Sequence, residues 1–113
     1  MSWRAHGMRA WVLQRFSAAY IAVYVLVILV YLVPNLPMNF LQWREIFAAP
    51  VMNIATLLFQ IALLAHAWVG IRDIIIDYVH PVPLRLVLMT GMSLLQIILT
   101  VWVSMLMFSV VRL

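Results

Sequence analysis

A chain of 113 residues that is 68% hydrophobic and only 9% charged, with a mean hydropathy of +1.14, carries more apolar surface than a soluble core of that size needs, so it reads as a small membrane protein with one domain, residues 1–113. Its formal charge of +4 and pI of about 10.4 do not point to nucleic acid, because every basic residue is an arginine at or near the end of an apolar run. Cysteine is absent, which excludes disulfides, thiolate metal sites and iron-sulfur clusters ligated by this chain alone.

Phe16 to Val33 is an almost unbroken apolar run stopped by Pro34, Asn35 and Pro37. At about 1.5 Å per residue it is long enough to cross a hydrocarbon core of roughly 30 Å. A cleaved signal peptide is the rival reading; the long polar-flanked stretch before the run and the lack of a small-x-small pair at its end argue against it. The stretch from Pro34 to Ala49 reads as a loop with Phe40 and Trp43 as interfacial anchors. Pro50 suits the first turn of a helix, and the apolar run from Val51 to Ile71 extends in helical pattern to Tyr78, interrupted by Asn53, Thr56, Gln60 and His66. Pro81 and Pro83 force a tight connection before the third run, Leu86 to Val111. The expected architecture is all-α, with three transmembrane helices over 16–33, 51–78 and 86–111.

Arg4, Arg9 and Arg15 precede the first span, and Arg72 and Arg85 flank the second turn, whereas Arg44 and Arg112 fall on the opposite side. That asymmetry places the N-terminus and the Asp77 turn in the cytoplasm. Ser93, Gln96, Thr100 and Ser104 form a weakly polar stripe on the third span, of the kind that faces another helix instead of lipid.

The densest chemistry lies in one segment. His66, Gly70, Asp73 and Asp77 recur at intervals of four, three and four, so they share a helix face. His66 lies on the order of 8 Å inside the membrane boundary, where low dielectric favours the neutral imidazole, the commonest side-chain metal ligand. Gly70, one turn away, removes a side chain where a flat macrocycle would need clearance. The plainer reading is a packing histidine bonded across helices. A heme with two histidine ligands needs a second imidazole at the same depth, and His6 and His80 are outside the spans; the second ligand must then come from another subunit. Arg15 and Arg72 stand at the mouths of their spans, where heme propionates want cations, or where arginines merely set topology. Asp73 reads as an interfacial partner of Arg72, Arg85 or another subunit. Tyr78 offers a phenol to a carbonyl oxygen directly after the Asp77 carboxylate, and is equally what an aromatic belt provides.

The segment HAWVGIRDIIIDYVHP followed by LR resembles the signature of the small hydrophobic membrane-anchor (D) subunit of succinate dehydrogenase. In that family a histidine opens an H-A-W-x-G segment and an Asp-Tyr pair closes it. The similarity extends more weakly to the first span and the three-span layout, and the chain lacks the Ser-x-x-His-Arg element of the larger anchor. The resemblance implies that His66 is the axial iron ligand of a heme b shared with the second membrane-anchor subunit. It further implies that Tyr78 and Asp77 lie at the ubiquinone site, and Arg15 near the heme propionate and quinone region. FAD and iron-sulfur clusters would belong to the flavoprotein and iron-sulfur subunits, and the membrane would be the bacterial inner membrane in preference to the mitochondrial one. His80 stands where relatives commonly have lysine, and no proton-transfer role is assigned to it. By itself the chain would have no dehydrogenase activity. The expected function is the anchor of succinate:ubiquinone oxidoreductase; the other readings are the anchor of a fumarate reductase-type enzyme, or a heme-free structural or transport subunit.

Overall fold

The structure is a computed structural model that describes the backbone of residues 3–113 and the side chains of 7–113. The side chains of Arg4 and His6 therefore lie outside the described residues. Four helices follow one another: α1 Trp3–Leu32, α2 Phe40–Ala48, α3 Pro50–Tyr78 and α4 Val82–Val110, with a 3-10 turn Val33–Asn35 after α1. Three of them are long and apolar enough to cross a membrane. Each of these spans runs 29 residues, about 43 Å, so each outreaches a hydrocarbon core of roughly 30 Å and its ends protrude or tilt.

Sequence dictates the breaks. Pro34 ends α1 by forcing the 3-10 turn, where the Asn35 side chain donates to the Tyr31 carbonyl at 2.6 Å. Pro50 opens α3 at a position where its missing N–H costs nothing, and Pro81 with Pro83 starts α4 in the same way. Two helices begin ahead of their expected spans: α1 at Trp3 instead of near Phe16, and α4 at Val82 instead of Leu86.

A larger difference lies between the first two spans. The stretch expected to be a loop contains α2, started by a reciprocal cap: the Asn39 side chain accepts from the Gln42 amide, and the Gln42 side chain accepts from the Asn39 amide, both at 2.9 Å.

The long helices form a row. α3 is central, with α1 on one side and α4 on the other, while α2 lies against α3 and α4 at one end. Among the described residues only Ala48, Val69, Ile75, Ser17 and Asn53 are buried. The row therefore has no interior of its own. Along the α1–α3 seam Tyr24 stacks on Phe59, ring centroids 4.3 Å apart. The Thr56 hydroxyl donates to the Met52 carbonyl and so accepts from the Tyr24 hydroxyl at 2.8 Å. Ser93, Gln96 and Thr100 of α4, Leu64, Ala65 and Trp68 of α3, and Leu13 of α1 line a common groove. The hydroxyls of Ser93 and Thr100 bond back to carbonyls of their own helix. Three of the four stripe residues therefore line an open groove and make no hydrogen bond to another helix among the described residues.

Asn53 knots the α2 end together. It is 2% exposed, and its amide donates to the carbonyls of Phe47 in α2 and Met107 in α4, both at 2.8 Å. The Arg112 amide adds a bond to the Ala48 carbonyl at 2.9 Å. An Arg112–Glu45 ion pair at 2.8 Å lies outside, with both side chains more than half exposed, and adds little. Asn53→Ala removes both donated bonds without adding bulk at this buried site, so it is expected to cost about 2 kcal/mol. Thermal unfolding in detergent checks this; an unchanged midpoint would show that the knot does not hold the helices.

Candidate functional site

The site begins with one hydroxyl. Ser17, in the middle of α1 and 5% exposed, donates to the Gln14 carbonyl one turn earlier at 3.2 Å. Its oxygen lies 3.0 Å from Nδ1 of His66 on α3. A hydroxyl has one proton, so with that proton on the Gln14 carbonyl the bond across the seam is donated by Nδ1–H. The other ring nitrogen, Nε2, then carries a free lone pair, which is the tautomer that ligates metal. A second-shell partner of this kind fixes both tautomer and ring orientation. Sequence reading missed Ser17, whose only signal was a lone serine in an apolar run at matching depth.

Gly70 also faces α1. A Cβ built there would lie 3.8 Å from Nε2 of Gln14, an ordinary contact, so the glycine's open space is turned to Gln14. Oε1 of the same Gln14 is buried without a partner. Among the described residues no three histidine, cysteine or carboxylate side chains gather to hold a metal. A single imidazole with one ring nitrogen committed to Ser17 and the other left as a lone pair could hold a heme iron only together with ligands that this chain does not supply.

Asp77 and Tyr78 form the last turn of α3, about 18 Å along the helix from His66. Both are exposed, Tyr78 by 78%, and the hydrogen bonds among the described residues leave both side chains uncommitted. Arg72 pairs with its neighbour Asp73 at 3.1 Å, the pairing expected for that carboxylate. Arg72 also lines a cleft of 680 Å³ with Arg9, Trp11, Gln14 and Trp68. Arg15 is exposed, and its guanidinium sits over the Trp11 ring, 5.4 Å from the centroid. It does not line that cleft. His80 is exposed in the turn. The residues singled out from the sequence thus separate into His66 in the α1–α3 seam, Arg72 at the cleft, and Asp77 with Tyr78 at the tip of α3.

Comparison with known proteins identifies the family. Residues 1–109 match the family described as succinate dehydrogenase/fumarate reductase transmembrane subunit. The chain is 36% identical over 96 residues, covering 85% of it and 84% of the relative, to the succinate dehydrogenase hydrophobic membrane anchor subunit of Coxiella burnetii.

Proposed function

The chain belongs to the succinate dehydrogenase/fumarate reductase transmembrane subunit family and is one of its membrane anchors, and within that family we propose that it is the small anchor of a bacterial succinate:ubiquinone oxidoreductase, holding half of a heme b site and part of a ubiquinone site. The observation that carries this reading is the Ser17–His66 bond. It commits Nδ1 inside the span and leaves Nε2 to a ligand; a packing histidine would make the same Nδ1 bond, so the heme spectrum of the isolated complex decides between the two.

When bound between this chain and the second anchor, the heme supplies a low-spin iron that exchanges single electrons. His66 would hold the iron through Nε2, and Ser17 would hold the ring in the ligating tautomer. Arg72 and Arg15 supply positive charge at the same end of the bundle for the propionates. At the tip of α3, Tyr78 donates a hydrogen bond to a carbonyl oxygen of ubiquinone and Asp77 sets the local charge. Reduction of the quinone to quinol takes two electrons from succinate and two protons. The flavin and iron-sulfur clusters that deliver the electrons belong to the soluble partner subunits, and this chain anchors, positions and shields.

The family description also names fumarate reductase, which differs in the direction of electron flow. The deciding experiment isolates the complex through an affinity tag on this chain in mild detergent. The expected result is co-isolation of bound flavin and a low-spin b-type heme, with succinate-dependent reduction of a ubiquinone analogue faster than quinol-dependent reduction of fumarate. A faster reverse reaction with menaquinol favours the fumarate reductase anchor. Recovery without heme and without quinone-linked activity overturns both readings.

A further inference from the structure

Arg85 stands in the first turn of α4, just across the link 79–81 from the end of α3. Its guanidinium turns one edge of its fork to α3: Nε–H donates to the Val79 carbonyl, and Nη2–H donates to the Ile76 carbonyl at 2.7 Å. Helices leave their last carbonyls without amide partners, and a cation there also meets the negative end of the helix dipole. The two carbonyls that Arg85 takes lie on either side of Asp77 and Tyr78. We infer that Arg85 is a positioning residue for the quinone site, its fork fixing the backbone on both flanks of the Asp77–Tyr78 pair so that the Tyr78 hydroxyl is held in place for the quinone carbonyl. This rests on the reading of Tyr78 given above.

Three observations support the assignment. Among the described ion pairs, Arg72 takes Asp73 and Arg112 takes Glu45, so Arg85 is committed to backbone and leaves the Asp77 carboxylate exposed. The remaining backbone ties at this corner stay within one helix and its cap: Val79 N–H to the Ile75 carbonyl, and Arg85 N–H to the Pro81 carbonyl. Among the described side chains, Arg85 is then the one whose hydrogen bonds cross from α4 to the last turn of α3. The chemistry also demands arginine, because a lysine ammonium is a point charge that cannot reproduce a planar, two-pronged contact with carbonyls three residues apart.

The test uses the whole complex in native membranes, with Arg85→Lys, Arg85→Gln, Tyr78→Phe and the double variant Arg85→Lys with Tyr78→Phe. Quinone KM and kcat are read beside succinate-dependent reduction of a soluble dye and the heme spectrum. Arg85→Lys is expected to raise the quinone KM about fivefold, leaving kcat, the dye-linked rate and the heme spectrum in place. In the Tyr78→Phe background the same substitution should add less than about twofold, since two residues acting as one unit are not additive. An unchanged KM in Arg85→Lys, or effects of the two substitutions that simply multiply, overturns the assignment. Loss of assembly in Arg85→Lys also overturns it in favour of a purely structural clamp, whereas loss of assembly confined to Arg85→Gln leaves the lysine variant to decide. Failure of the Tyr78 reading is recognised separately, as normal quinone kinetics in Tyr78→Phe alone.

Discussion

His66→Ala removes the low-spin b-type absorption from the purified complex or alters it, while succinate oxidation measured with a soluble dye continues. The expectation follows from the seam between α1 and α3. Among the described residues His66 is the one histidine inside the spans, and its Nδ1 is engaged by Ser17 at 3.0 Å, which leaves Nε2 as the imidazole nitrogen that could meet an iron at that depth. Alanine leaves a gap that water or a neighbouring side chain can fill, so an altered spectrum is as telling as a lost one. A dithionite-reduced minus oxidised spectrum of native and variant complexes makes the measurement. An unaltered spectrum would return His66 to a packing role. Ser17→Ala should act in the same direction and more weakly. It keeps the ligand but frees the ring, and losses of this outer kind run to about 10- to 100-fold in metal affinity. Heme retention during detergent washes or transfer to an excess of a heme-scavenging apoprotein reads it out, and retention equal to the native complex would show that the hydroxyl does not tune the ligand.

Tyr78→Phe is expected to lower kcat/KM for ubiquinone by roughly tenfold or more, since it removes one hydrogen bond from a polar oxygen in a partly desolvated site. The ring stays, so packing against the quinone and assembly of the complex are retained. Tyr78 is exposed at the end of α3, 78% accessible in the chain alone, so losing its hydroxyl removes no contact that holds the chain's fold. Steady-state assays across quinone concentrations, paired with dye reduction, separate the quinone step from electron delivery. Unchanged turnover at every quinone concentration would falsify the direct hydrogen bond.

Much of this was legible in the residues. A helical period places His66 and Gly70 on one face, and the structure turns both toward α1. Proline placement marks the breaks after α1 and before α3 and α4. Other parts were not legible, for physical reasons. α2 is nine residues long, and its apolar residues Phe40, Leu41, Trp43, Ile46 and Phe47 fall at helical spacing, but a run this short between flanking prolines equally suits an interfacial loop. Asn39 with Gln42 three residues later was nonetheless a visible start signal. Ser17 and Asn53 looked like isolated polar residues in apolar runs. Their importance depends on which residue lies opposite in an antiparallel pair, and a single sequence does not state that register. Arg85 was counted as a topology arginine because carbonyls, its true partners, leave no mark in a sequence.

A row of three helices with scarcely a buried side chain has a consequence for how the cell keeps this protein. Lipid tails solvate its apolar faces as well as another helix would, so hydrophobic force alone does not compact it. Its native arrangement is instead favoured by whatever binds the folded form, in proportion to how much of that binder is present. Copies made in excess of their partners thus spend longer in loosened states open to membrane proteases. The abundance of this chain should track the scarcer subunit of its assembly, which gives the fold a part in setting stoichiometry without any dedicated regulator.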